Sequence, residues 1–236
     1  MTEGRFYRMT RGPGEFYPRI ARPLALSDQE RLWSHICLED KAYVANAKSQ
    51  LTLLVRKLEA ICYIVQPSTK TLDVYGHEIR NLLILGATEV EMYCRGILTA
   101  NGSKASKFNS NEYAKLAAPL RLDNYAITFL DFPDLQLFRP FNGWSKADPT
   151  KSLGWYDAYH GVKHNREGEF GRGTLRHAFE AVSACIALLV AQFGSVALSA
   201  ELSSFVGLEV PNYPIGEMYL PIVTSAGWVP INYPGL

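Results

Sequence analysis

The sequence predicts a mainly α-helical chain with a small β insertion, an N-terminal arm and a Pro-rich C-terminal tail. Three observations predict it. Apolar residues recur at three- and four-residue steps through residues 40–65, 73–100 and 174–193, the period that lays one stripe along a helix. Helix stops follow the first two stripes, at Pro67 and at Asn101-Gly102. Five prolines (211, 214, 221, 230 and 234) then punctuate the chain beyond Leu208 and rule out regular helix there.

At 236 residues, 47% hydrophobic and 20% charged, the chain is long enough to bury one sizeable core. We divide it into an arm with a short helix (residues 1–39), a helical domain (40–207) and a wrapping tail (208–236). A net charge of +1 gives no bulk drive toward nucleic acid or membrane, so a polyanion would have to be gripped by a local patch. Cys37, Cys62, Cys94 and Cys185 lie far apart among apolar neighbours and read as reduced core thiols. The first twelve residues lack the apolar core of a signal peptide. The longest apolar run, residues 178–193, contains Glu180 and Ser183 and is too short to span a bilayer. A cytoplasmic protein without a membrane partner is expected.

In chain order, residues 4–26 mix Gly, Pro, Arg and aromatics without a period and read as an extended arm. Ser27 opens a capping-box pattern for a short helix to about Cys37. Asp40 opens the first long helix, carrying Val44, Leu51, Leu54, Leu58 and Ile61 inward. The second runs from about Asp73 to Ala100, and Gly86 within its stripe implies a close helix contact. A short helix ending at Pro119 follows. Residues 125–141 turn β-prone around Phe-Pro-Asp and read as a hairpin or two short strands. Asp148-Pro149 looks like the N-cap and first position of a third helix, from about Thr150 to His164, with Leu153, Tyr156 and Val162 inward. Gly168, Gly171 and Gly173 break it, and a fourth helix runs from about Thr174 to Phe193. A helical piece over 196–206 and a strand over 218–223 complete the reading.

Most of the chemistry lies in residues 155–193, which hold three of the five histidines. Over residues 151–177 five Lys/Arg stand against three acids, so the segment is cationic. His160 and His164 are four apart and share one helix face. That spacing suits two metal ligands, but Gly161 replaces the glutamate of a zincin and no third ligand is evident. The other chemistry open to these residues is acid–base work on a phosphodiester. A histidine moves the proton, and Lys163 and Arg166 hold the phosphate. Lys, His and Arg are also favoured at a helix C-terminus by its dipole alone, and that plain reading stays open. Arg172 and His177 form an Arg-x4-His pair, with Arg176 between them. Trp155, Tyr156 and Tyr159 could stack bases or pack a core. No phosphate-cradling glycine loop and no set nucleophile appear.

Residues 158–190 (AYHGVKHNREGEFGRGTLRHAFEAVSACIALLV) together with 76–98 resemble the HEPN superfamily of helical-bundle proteins. Within it they resemble bacterial members with a Tyr-x-x-x-Lys-His-x-Arg motif. The resemblance implies a HEPN-like bundle and, in many members, a dimeric, metal-independent endoribonuclease of toxin–antitoxin or phage-defence systems. Tyr159 to His164 lies on the family's Arg…His pattern, with Tyr159 in the arginine's place and His160 where asparagine is common. The resemblance therefore implies His164, assisted by His160 and Tyr159, as catalytic, with Lys163, Arg166, Arg172, Arg176 and His177 on RNA. It implies RNA and a second copy as partners, an antitoxin or nucleotidyltransferase beside them, and no cofactor. The alternative it leaves is a non-catalytic protein that binds a partner protein, nucleotide or RNA on the same face.

Overall fold

The fold is set by one helix that carries almost no charge. Residues 175–193 offer only Arg176, His177 and Glu180 as titratable groups outside Cys185, and apart from Gln192 the other positions are apolar or small. In the computed structural model, which describes residues 8–25, 40–221 and 227–236, this stretch forms α5 (Leu175–Phe193) with every other side chain buried. Around it pack α1 (Asp40–Cys62), α2 (His77–Ala100) and α4 (Gly154–His164). Two short helices, α3 (Ser110–Tyr113) and α6 (Ala200–Phe205), and two strand pairs, built from β1 (Glu15–Phe16), β2 (Ala126–Phe129), β3 (Val206–Glu209) and β4 (Val229–Pro230), complete the α-helices and strands of the described residues. The chain is thus mainly helical with a small β component.

α1 and α2 bury the stripes their periodicity predicts, including Leu51, Leu58, Leu83 and Ile97. Gly86 earns its place by contact. A Cβ there would lie 3.1 Å from the Cβ of Ala181, and the Cys185 thiol donates to the Gly86 carbonyl at 3.2 Å. α2 and α5 therefore meet backbone to backbone. α5 is long and apolar enough, by length and composition alone, to cross a membrane, a test that the buried core helix of a bundle also passes. Here 83% of its apolar window is buried against the other helices, so it serves as the core of the bundle.

Several elements differ from expectation, among them α2, which starts at His77 rather than about Asp73. α4 starts at Gly154 rather than Thr150, because Asp148 caps an isolated turn through the Lys151 N–H and Leu153 is extended. The β-prone stretch 125–141 does not pair mainly with itself. β2 runs antiparallel to β3, with Ile127 opposite Leu208, and only one bridge, Ile127 to Phe138, forms the expected hairpin. Pro140, two residues on, lacks the N–H that the next rung would need.

The arm and the tail hold each other. β1 and β4 pair in parallel, Leu24 bridges Tyr219, and the Tyr219 ring is fully buried. Asn101, expected only as a helix stop, donates to the Pro18 carbonyl at 2.8 Å and accepts from the Tyr233 N–H at 3.0 Å. The helix expected over Ser27 to Cys37 lies outside the described residues, as do Cys37 itself and the last two positions of the strand expected over 218–223, while residues 218–221 form no strand and pair only at Tyr219. Cys62, Cys94 and Cys185 are free and buried.

The α2–α5 contact has a direct test. Gly86→Val should destabilise the protein by roughly 1–3 kcal/mol, the usual cost of overpacking a close contact. Urea denaturation checks it, and an unchanged midpoint would mean that the two helices can separate without loss.

Candidate functional site at the end of α4

The candidate site is built from α4 and from the first turns of α5 that pack against it. α4 presents Tyr156, Tyr159, His160, Lys163 and His164 along one side. The Tyr156 hydroxyl donates to Glu91 Oε1 of α2 at 2.8 Å. Tyr159 is fully buried, and its hydroxyl accepts from Lys163 Nζ at 2.6 Å. The His160 ring meets Tyr156 edge-on at 4.8 Å and Tyr159 at 5.1 Å, and His164 stacks on its other side at 5.9 Å. His164 and Arg166 are exposed.

Electrostatics follow from this packing. Burial pushes the His160 ring below its ordinary pKa, and Lys163 and His164 add to that, while Glu91 opposes it. Its Nε2 is buried without a hydrogen-bond partner among the described residues. The hydrogen bond to Tyr159 holds the Lys163 ammonium above its ordinary pKa, so its charge is firm but already directed. Arg166 makes no ion pair among the described residues, which leaves it free to meet an anion.

A second group sits on the knuckle between α4 and α5. Arg172 Nη1 donates to Glu169 at 2.9 Å, and Nη2 donates to Asp157 of α4. The arginine lies flat on α4 at Gly161, where a Cβ would come within 2.9 Å of Nη1. Glycine is what lets the knuckle close there. His177 Nδ1 lies 2.7 Å from the Arg172 carbonyl, which can only accept, so the neutral ring carries its proton on Nδ1. Its Nε2 faces Gly154 at the start of α4, and burial lowers its pKa. Arg176 reaches Asp73 at 3.5 Å.

The structure thus gathers Tyr159, His160, Lys163 and His164 in one place and ties Arg172 to it through Asp157 and Gly161. It does not bring the Arg172 guanidinium and His177 Nε2 to a common point, because they lie at different turns of α4. Trp155, Tyr156 and Tyr159 are buried, with Trp155 Nε1 donating to the Pro140 carbonyl at 2.7 Å, so these rings cannot stack bases. Among the described residues no group of three or more His, Cys, Asp or Glu is placed to hold a metal ion. No known protein family, curated protein or solved structure matches the chain.

Two carboxylates escaped the sequence reading. Glu91 is 65 residues from the tyrosine that binds it, and no local spacing signals it. Glu180 could have been found, as a lone acid in an apolar helix one turn beyond His177. It is half-buried, and burial raises its pKa to about 7 against the opposing pull of Arg176. The folded state therefore holds this proton more tightly than the unfolded chain, and stability drains away as pH rises from 4.5 toward 7. Glu180→Gln should remove that loss. Wild type should weaken more than the variant between about pH 5 and about pH 8 in denaturant titrations, and equal slopes would place Glu180 in water.

Proposed function

We propose that the chain is a HEPN-like helical-bundle protein that cleaves RNA without a metal ion, in bacterial toxin or anti-phage defence. One observation carries the reading. His164 stands exposed at the end of α4, stacked at 5.9 Å on the partly buried His160, with Lys163 and the free Arg166 within two residues of it. In this reading His164 takes the proton of a ribose 2′-hydroxyl, and the 2′-oxygen attacks phosphorus. The P–O5′ bond breaks, and the 5′-oxygen leaves with a proton from water. The products are a 2′,3′-cyclic phosphate and a 5′-hydroxyl. Arg166 and Lys163 offset the charge on the phosphoryl oxygens. His160, whose pKa burial lowers, packs its ring against His164. A homodimer through the 150–177 face, with an antitoxin or nucleotidyltransferase as partner, belongs to the same proposal.

A second reading has its own support. Arg172 is spent on two carboxylates and Lys163 on Tyr159, so few cations are free to stabilise a transition state. That favours a non-catalytic protein which holds RNA, a nucleotide or a partner protein on the same face.

Purified protein incubated with total RNA in EDTA separates the two. The cleavage reading predicts cyclic-phosphate ends, lost by roughly 100-fold or more in His164→Ala, the usual scale of acid–base catalysis. Cutting that depends on added metal, or that survives in His164→Ala, would falsify this mechanism. Saturable binding without turnover, weakened by Arg166→Ala, is the outcome of the second reading.

A further inference from the structure

Beside the knuckle, the Phe170 ring meets two others. Phe170 packs edge-on against Tyr75 at 5.8 Å and lies 4.9 Å from the His77 ring. Tyr75 is 58% exposed and His77 is exposed, so much of this aromatic surface faces water. A single exposed ring needs no explanation, but Tyr75 and His77 both pack against Phe170 and together make one aromatic platform. Beneath it lies Arg80, only 8% exposed, with its guanidinium carbon 5.4 Å from the Phe170 ring centre. Arg80 Nη2 donates to Asn81 at 2.8 Å, while Nε and Nη1 have no partner among the described residues. A buried guanidinium without a carboxylate is costly, and it polarises the ring above it. Arg176 donates its backbone N–H to the Leu72 carbonyl, in the segment that leads to Tyr75, and its side chain pairs at 3.5 Å with the exposed Asp73.

We propose that Tyr75, His77 and Phe170 form a stacking subsite for an unpaired base of single-stranded RNA, with Arg176 on the neighbouring phosphate. The inference rests on the RNA reading above and narrows its substrate to single strands. Aromatic faces beside a cation are what an unpaired base and its phosphate require, whereas a duplex keeps its base faces stacked inside. The position fits the route of a strand. Phe170 and Arg172 belong to one short turn, and Arg172 is anchored to α4 beside His160, so a base on the platform continues toward His164 along the knuckle. The 72–75 segment is held there by backbone bonds from Leu175 and Arg176, which the Tyr75 side chain does not make.

Fluorescence anisotropy with a labelled single-stranded RNA, and with the same strand in a duplex, tests this. Wild type should prefer the single strand, Tyr75→Ala should weaken that binding roughly tenfold, and Tyr75→Trp should retain it. Arg176→Gln should reduce the salt dependence by about one phosphate contact. Equal binding of the single strand by wild type and Tyr75→Ala, or equal affinity of wild type for the duplex, overturns the subsite. If His164→Ala abolishes cleavage while Tyr75→Ala binds as wild type, the cleavage reading stands and the subsite falls. If Tyr75→Ala loses binding in a protein that never cleaves, the subsite stands and the cleavage reading falls. Binding of neither RNA overturns both.

Discussion

The close approach of α2 and α5 at Gly86 is the constraint on which the bundle depends. α5 buries everything except Arg176, His177 and Glu180, all within its first two turns. Each fully buried Leu, Ile, Val or Phe contributes about 1.5–3 kcal/mol, so the apolar length of the helix fixes where it must lie. Arg176, His177 and Glu180 then fall together at one end of the core. α2 runs against the same surface, and its close contact sets the depth at which Glu91 meets Tyr156 and Arg80 lies under Phe170. The polar end of the bundle is therefore a consequence of packing. Its chemistry gathers there because the rest of α5 leaves no room for it.

At that end Arg172 is the organising contact. It spans Asp157 on α4 and Glu169 on the knuckle, with side chains between 30% and 41% exposed. Ion pairs at that exposure are worth about 1 kcal/mol or less each, too little to matter to global stability. Their effect is geometric. They press the knuckle onto α4 at Gly161, next to His160. The same contacts explain why Arg172 is not a free cation for a substrate, whereas Arg166 and Arg176 have charge to offer.

The long helices were legible because a 3.6-residue period survives in sequence wherever one face is buried. α1, α2 and α5 keep that period over many turns. The start of α4 was not legible, since Asp148-Pro149 satisfies the rule for a helix start and yet caps a turn of its own. β2 was readable as a strand, but its partner lies some 80 residues away and no local pattern names it. In the site, the i, i+4 spacing placed His160 and His164 together. The same spacing could not say whether Trp155, Tyr156 and Tyr159 faced solvent or core, and burial decides for core. Glu91, Arg80 and Tyr75 come from a different helix or its approach, so only tertiary packing brings them to the knuckle.

The account holds that RNA lies along one face, from the α2 N-terminus across the knuckle to the end of α4. The most direct measurement is photo-crosslinking of thiouridine-substituted single-stranded RNA to the intact protein, with the linked peptides mapped by mass spectrometry. The account predicts crosslinks within residues 75–80 and 160–176. Crosslinks confined to the solvent face of α1 around Leu53, or to the C-terminal tail, would contradict it.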